Sequence, residues 1–485
     1  MGRTSTGRRD LQTTVVCLAI GLNSVILAAL AVARHRAYWT ARFDVGNMWQ
    51  AIWTSAHGDL LLSTNGAGEQ ASRLAGHVDP LLLVFTPIAW ITRSPVPILV
   101  LQPLLVALGA LPLYALARRH FDGWPAVVCA LTWLVYPPLW WLVLDEFHPL
   151  AFAAPLLVGC VWAIETGRNG WLASLAVLAA LSKEEVGLTL AVLGVWMAIR
   201  HGRRVAGLIL TGCSTVWVAI CAAIIIPHFN NGQGSDFVAR YGEAGGGAGG
   251  VIKHLATHPW EIVTTGLAPS RLGYLAALLL PLLLLPFASS LVVAVVPELL
   301  LNLLANWGPQ HSIEFHYVAV PAGILLPAAV LGLARLHASG VVFARVGASG
   351  LAGGLAAASI VGLAITGPLP GLEPLSTASK LRVGQYLRPQ GAESIDRAIA
   401  RVPADAPVSV GNYLGGHLSA RRYVATFPVI GQAQFVVVDR RRPTVGFRTD
   451  MVAFRRELAA LEARPDFRLA NVDGDILTYV RRDGS

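Results

Sequence analysis

Long apolar runs separated by short polar segments make up most of the first 366 residues. A helix needs about 20 apolar residues to cross a membrane. Eleven runs reach or approach that length, at 11–33, 98–117, 124–143, 149–165, 171–182, 186–199, 205–227, 271–287, 289–305, 317–335 and 341–366. The pattern predicts a polytopic α-helical membrane protein with about eleven transmembrane helices.

Two apolar segments do not fit a simple crossing. The run from Pro80 to Ile91 is too short to span comfortably, and we predict a re-entrant or interfacial helix there. The run from Gly170 to Arg200 contains the charged sequence SKEE at 182–185. Because charged groups at bilayer depth are costly, we predict two short helices that meet at this sequence, near the outer surface or a water-filled cavity.

The charge density changes near residue 367. Only 13% of the 485 residues are charged, against roughly 25% in soluble domains, yet residues 367–485 hold 29 of the 65 charges. We therefore predict a transmembrane domain over 1–366 and a small soluble α/β domain over 367–485. This composition excludes an ordinary soluble enzyme, a fibrous protein and a disordered chain.

The C-terminal segment has the alternating pattern of an α/β module. We predict helices over 393–401 and 450–464, the second beginning at Asp450. Strands are predicted at 407–410 and 434–439, and a closing hairpin pairs 467–471 with 476–480 around Asp473-Gly474.

Arginines are concentrated in alternate short loops. If the N-terminus is cytoplasmic, the inner loops hold Arg118, Arg119, Arg168, Arg200, Arg203, Arg204, Arg335 and Arg345. The positive-inside rule therefore predicts an inner-membrane protein with a cytoplasmic N-terminus and an extracytoplasmic C-terminal domain. The net charge of +9 is then a topology signal, and no nucleic-acid partner is expected. The main external segments are 34–97, with interfacial helices, and the glycine-rich 228–270, predicted to be mobile around Gly242, Gly245–Gly247, Gly249 and Gly250.

Polar side chains beside the predicted spans are few, and the predicted topology places them on one face. They are Asp44, His77, Asp79, Asp145, Glu146, His148, Lys183, Glu184, Glu185, His311, Glu314 and His316. Such convergence is what a single external cavity requires. Purely structural roles are the alternative: Asp44 capping a helix, a hydrated turn at 145–148, an ion pair of Lys183 with Glu184 or Glu185, and an interfacial loop at 311–316.

Several blocks of the chain resemble a known family. They are FDVGNMWQAIWTSAHG (43–58), GHVDPLLLVFTPI (76–88), LQPLLVALGALPLYALARRHF (101–121), YPPLWWLVLDEFHPLAFAAPLL (136–157), LSKEEVGL (181–188) and VGNYLGGHLSARRYVATFP (410–428). The chain resembles an uncharacterised family of bacterial multipass membrane proteins related to the GT-C superfamily of integral-membrane glycosyltransferases. An acidic residue in the first external loop and an acidic pair in the second are the superfamily's layout.

The resemblance implies a GT-C-like fold and a catalytic site. Asp44 is similar to the first-loop acidic residue, expected to act as general base or metal ligand. Asp145 or Glu146 would be the second acidic position, and the three carboxylates together would hold Mg²⁺ or Mn²⁺. Lys183, with an external-loop arginine, would neutralise donor phosphate. The remaining predicted substrate-binding residues are His77, His148, Glu184 and His316.

The same resemblance implies a reaction. The expected activity is transfer of a sugar from a polyprenyl-phosphate donor in the membrane lipid to a glycan, lipid or protein acceptor of the cell envelope, without an organic cofactor. One alternative is a transporter or flippase of a lipid-linked or small polar substrate, favoured by the broken helix at 182–185 and the glycine-rich loop. A non-catalytic envelope scaffold is another.

Overall fold

The structure is a computed structural model that describes residues 2–244, 253, 257–340, 347–369 and 382–482. It is mainly helical. The α-helices span Gly2–Arg36, Asn47–Ala56, Thr86–Ile91, Val96–Ala107, Ala110–Ala117, Trp124–Val135, Pro137–Asp145, Ala153–Glu165, Asn169–Ala180, Val186–Arg200, Arg204–Ile220, Ile226–Phe229, Trp260–Gly266, Pro269–Leu279, Val296–Leu304, Ala319–Ser339, Gly347–Thr366, Ala392–Arg401, Asn412–Gly415 and Met451–Glu462. The predicted mobile glycines at 245–247, 249 and 250 lie outside the described residues.

Six helical segments of the described chain are long and apolar enough to cross a membrane. They are Asp10–Arg36, Val96–Ala117, Trp124–Asp145, Arg204–Phe229, His316–Ser339 and Gly347–Thr366. Shorter apolar segments of 10–17 residues are Pro80–Ile91, Pro149–Glu165, Asn169–Ala180, Val186–Arg200 and Ser290–Leu304. The prediction of an α-helical membrane protein therefore agrees with the structure, whereas the count of eleven spans stays a prediction.

Two of the predicted apolar runs, 170–200 and 271–287, are interrupted in the structure. The predicted break in the run 170–200 is confirmed, because one helix ends at Ala180 and the next begins at Val186. The continuous helix predicted over 271–287 is wrong, whereas a membrane crossing by this segment stays a prediction. Its helix ends at Leu279, and Leu283 and Leu284 have φ angles of 53° and 56°. Two prolines, Pro281 and Pro286, lack the N–H group that a continuing helix would need.

Two of the six segments, His316–Ser339 and Trp124–Asp145, each have one end at the same place in the structure. About nine-tenths of the apolar window of His316–Ser339 is enclosed (89%), against 22% for Gly347–Thr366. Trp124–Asp145 is also largely enclosed (83%). Gly323 permits close packing of His316–Ser339 on the helix Ala153–Glu165, because a β-carbon there would come within 2.9 Å of the Ala154 carbonyl oxygen. His316 at the start of one segment and Asp145 at the end of the other therefore belong to the two most enclosed of the six segments.

The C-terminal residues form a five-stranded sheet. The strands of the chain are β1 Leu62–Thr64, β2 Gln70–Ser72, β3 Val408–Val410, β4 Val424–Thr426, β5 Phe435–Asp439, β6 Thr444–Val445, β7 Arg448–Thr449, β8 Phe467–Asp473 and β9 Ile476–Arg481. The sheet order is β4-β3-β5-β9-β8, with β3 parallel to β4 and β5, and β9 antiparallel to β5 and β8.

The predicted C-terminal elements are present, including Asp450, whose carboxylate accepts the Ala453 N–H at 2.9 Å as an N-cap. Strand β4 was not predicted from the sequence. Its three residues are too few to show a period.

The C-terminal sheet is fastened to the segment that carries Asp44. The Arg42 side chain is fully enclosed and donates to the carbonyls of Val424, at 3.0 and 2.7 Å, and Thr64. The Asn412 side-chain oxygen accepts the Arg42 N–H at 3.1 Å. At Gly415 a β-carbon would approach the Arg42 side chain to 2.2 Å, so glycine permits this contact. The 410–428 block thus supports the segment around Asp44.

Candidate active site

Asp44 lies in a single π-helical turn, Arg42–Gly46, that precedes the helix Asn47–Ala56. Its carboxylate is 40% exposed, and its Oδ1 atom lies 3.4 Å from Nε2 of His148. Asp44 does not occupy the N-cap position of that helix, which is Gly46. Asp44 is therefore an accessible carboxylate beside an imidazole.

Glu146 has a different environment. Both carboxylate oxygens accept the Ala41 N–H at 2.9 Å, one also accepts the Val45 N–H at 3.0 Å, and Arg34 lies at 3.6 Å. Burial and the nearby charge of Asp44 raise the pKa of Glu146 to about 8, against the lowering effect of Arg34 and these N–H groups. Because main-chain groups occupy its oxygens, the predicted catalytic and metal-binding role does not fit Glu146. Its contacts instead make it a buried anchor for the Asp44 turn.

The Asp145 side chain points away from Glu146 and lies near two histidines. Its Oδ2 atom is 3.7 Å from Nδ1 of His316, whose ring stacks on His148 at a centroid distance of 3.7 Å. One ligand atom from each of the three residues lies within 4.8 Å of the others. The buried Nδ1 atoms of His148 and His316 have no hydrogen-bond partner among the described residues. This geometry could hold a metal ion.

Two residues that the sequence reasoning missed hold the turn at 145–148 in place. The Gln102 amide donates to the Glu146 carbonyl at 2.8 Å, and its oxygen accepts the His148 N–H at 2.9 Å. Arg34 donates to the carbonyls of Leu144 and Asp145 at 3.0 and 2.7 Å. Neighbouring Asp145 and Glu146 can therefore point to opposite sides. A lone polar residue within an apolar run, as in LQPLL, is the sequence signal that could have identified Gln102.

The SKEE sequence forms two separate pairs. Lys183 is 2.7 Å from Glu185, whereas Glu184 accepts from His77 at 2.9 Å and from the Val78 N–H at 2.8 Å. Burial raises the pKa of Glu184, but His77 and Lys183 outweigh it and lower the value to about 2. For Lys183, burial by itself lowers the pKa of the ammonium group, but the charge of Glu185 outweighs burial, and the pKa is raised. The Lys183 ammonium is thus already neutralised, as the ion-pair alternative predicted.

The structure places the remaining predicted site residues around this centre. Lys183 lies 5.4 Å from the ring centroid of Tyr317, the neighbour of His316. His77 and Glu184 lie beyond Lys183, where the His77 ring stacks on Phe237 at 4.1 Å. The sequence therefore identified residues that meet in space, although their roles as substrate ligands stay predictions.

The anchoring role of Glu146 can be tested by stability. Glu146→Ala leaves the N–H groups of Ala41 and Val45 buried without their acceptor, whereas Arg34 keeps its bonds to the Leu144 and Asp145 carbonyls. Since each unsatisfied buried donor costs about 1–3 kcal/mol, we expect a loss of about 2–5 kcal/mol in the free energy of unfolding, measured by thermal or denaturant unfolding in detergent. Glu146→Gln keeps one carbonyl acceptor and should lose less. Equal stability of wild type and Glu146→Ala would contradict the role.

Comparison with known proteins identifies the family. The family model described as "Predicted membrane protein (DUF2079)" matches residues 34–449. The chain belongs to this family. No curated protein is significantly similar to it.

Solved structures show which fold the DUF2079 chain has. ArnT from Cupriavidus metallidurans, crystallised with undecaprenyl phosphate, is 13% identical, with a TM-score of 0.50 over 97% of this chain and 99% of that chain. The Archaeoglobus fulgidus oligosaccharyltransferase in its apo form is 12% identical, with a TM-score of 0.49 over 88% and 70% of the two chains. These neighbours are GT-C glycosyltransferases, and the likeness to ArnT shows that this chain has a GT-C-like fold.

Proposed function

We propose that this DUF2079 protein is a membrane glycosyltransferase that transfers a sugar from a polyprenyl-phosphate donor to an extracytoplasmic acceptor of the cell envelope. The observation that carries the proposal is the convergence of Asp44, Asp145, His148 and His316 at one place in a GT-C-like fold. The presence of undecaprenyl phosphate in the ArnT structure supports a lipid-phosphate donor.

Asp44 is the residue best placed to act on the acceptor. It is the exposed carboxylate of the group, and His148 at 3.4 Å orients it. In the proposed reaction the acceptor oxygen forms a bond to the anomeric carbon and loses its proton to Asp44. The anomeric carbon–oxygen bond to the donor breaks, and its electron pair leaves with the polyprenyl phosphate. The leaving phosphate needs positive charge nearby.

Asp145, His148 and His316 fit a divalent metal ion. One carboxylate and two imidazoles form a mixed oxygen and nitrogen donor set, which suits Mn²⁺ or Zn²⁺ better than Mg²⁺. Of the three ligands predicted from the sequence, only Asp145 belongs to this group. When bound, the ion would supply positive charge for the leaving phosphate.

A transporter or flippase is the second candidate. It is supported by the interrupted helix pair at 181–185, because broken helices often frame substrate sites in carriers. A flippase could take the same lipid-linked substrate as the proposed glycosyltransferase, but it would move the intact lipid to the other leaflet, whereas the transferase breaks the bond between sugar and phosphate.

Purified protein in lipid nanodiscs provides the direct test. A panel of polyprenyl-phosphate sugars with a radiolabelled sugar is incubated with envelope acceptor fractions, and transferred label is counted. We expect transfer with at least one donor, and none with empty nanodiscs. In parallel, proteoliposomes report whether the intact labelled donor changes leaflet. Donor movement without transfer by well-folded protein would replace our proposal with the flippase. If the protein shows neither transfer nor donor movement, the scaffold is favoured.

A further inference from the structure

An arginine that the sequence reasoning did not single out lies beside this centre. The guanidinium carbon of Arg240 is 4.4, 5.6 and 5.9 Å from the ring centroids of Phe237, Trp307 and Tyr317. Its Nη1 atom donates to the Tyr317 hydroxyl at 2.8 Å. In the described part of the chain, no carboxylate forms an ion pair with Arg240. A half-buried guanidinium is therefore held by aromatic rings with its charge uncompensated.

The segment that carries Arg240 is fixed at several points. The Ser235 hydroxyl donates to the Gly76 carbonyl at 2.8 Å, and the Arg240 carbonyl accepts the Asn306 N–H at 2.6 Å. Gln310 donates to the Tyr241 hydroxyl at 3.0 Å. These bonds fix the short 3₁₀ segment Asp236–Ala244 against residues 76, 306 and 310. Little side-chain entropy remains to be lost when Arg240 binds a ligand.

Of the two cations near the Tyr317 ring, Lys183 has an ion-pair partner and Arg240 has none among the described residues. Lys183 and Arg240 both lie near the Tyr317 ring, at 5.4 and 5.9 Å. The Lys183 charge is matched by Glu185 at 2.7 Å. The Arg240 charge has no such partner among the described residues, and an entering anion therefore gains more from Arg240 than from Lys183. Both cations are close enough to act electrostatically on His316.

We propose that Arg240, rather than Lys183, is the cation that binds the phosphate group of the lipid-linked substrate. The inference rests on the proposed function and deepens it. The planar guanidinium matches the geometry of phosphate oxygens through two parallel N–H donors. Tyr317 places Arg240 next to His316, so the bound phosphate would lie beside the carboxylate and imidazoles of the centre.

Binding measurements on the full-length protein in nanodiscs test this assignment. The probes are geranylgeranyl monophosphate, the uncharged geranylgeraniol and inorganic phosphate. We expect Arg240→Gln to weaken monophosphate binding about tenfold to a hundredfold, since charge-assisted hydrogen bonds have that strength. Arg240→Lys should retain part of the affinity. Arg168→Gln is the matched control, because Arg168 also lies over an aromatic ring, that of Trp162 at 5.0 Å, and should bind like wild type.

The probes separate the possible outcomes. Unchanged geranylgeraniol binding together with weaker monophosphate binding supports the assignment to a lipid phosphate. If Arg240→Gln weakens the binding of inorganic phosphate as much as that of the monophosphate, the anion site is supported and its ligand is free phosphate. The assignment of Arg240 is overturned if Arg240→Gln binds the monophosphate as tightly as the wild type does. It is also overturned if the variant loses as much affinity for geranylgeraniol as for the monophosphate. Because binding is measured without turnover, phosphate binding at Arg240 by a protein that transfers no sugar would contradict only the proposed function.

Discussion

Asp44→Asn is expected to abolish sugar transfer while the protein stays inserted and folded. The amide keeps the shape and one hydrogen-bonding oxygen, but it loses the negative charge and basicity needed to take the acceptor proton. A general base contributes about 10²–10⁴-fold to the rate, and a loss of that size is expected in the radiolabelled transfer assay.

Asp59→Asn is the matched control for Asp44→Asn. Asp59 belongs to the same segment, 34–97, and pairs with Arg422 at 2.8 Å, and it is not a member of the Asp145–His148–His316 group. A partly exposed ion pair contributes little, so this variant should transfer at nearly the wild-type rate. Normal turnover by Asp44→Asn would eliminate the carboxylate mechanism.

Loss of His316 is expected to remove the metal-binding capacity of the protein. His316→Ala leaves Asp145 and His148 as the remaining members of the group. Affinity for Mn²⁺ or Zn²⁺ should fall by more than the roughly 10–100-fold that loss of an outer-shell partner costs. Equilibrium dialysis with metal analysis, or Mn²⁺ electron paramagnetic resonance, measures this independently of activity. The wild type should bind Mn²⁺ and Zn²⁺ more tightly than Mg²⁺, because two of the three donors are imidazoles.

His201→Ala provides the comparison for His316→Ala. His201 also lies near a carboxylate, that of Glu165 at 3.4 Å, but it does not belong to the three-residue group, and its loss should leave metal binding unchanged. If His316→Ala and His201→Ala bind metal equally well, the assignment of Asp145, His148 and His316 as ligands is wrong.

Local pattern was sufficient for much of the fold. The length of apolar runs identified segments such as 317–335, because the cost of an unpaired main-chain group in lipid applies to any membrane helix. The break at Lys183 followed from the cost of burying charge. At 271–287 the same reasoning failed. Pro281 and Pro286 were a readable signal against a continuous helix there, but the left-handed φ angles at Leu283 and Leu284 appear only in the structure.

The residue types and positions of the candidate site were also readable from the sequence, because so few polar groups adjoin the spans. Asp44, Asp145, His148 and His316 were all singled out, although His148 and His316 were expected to bind substrate.

Only the tertiary structure separated the roles of neighbouring residues. Asp145 and Glu146 are adjacent in the chain, yet one faces His316 and the other is enclosed by main-chain N–H groups. Arg240 was one of many arginines until the fold placed it against Tyr317. Side-chain direction and charge compensation depend on partners distant in sequence, such as Gln102 for the turn at 145–148 and His77 for Glu184. The sequence by itself determined which groups could meet near the membrane surface, and the packing of the central helices decided which of them do.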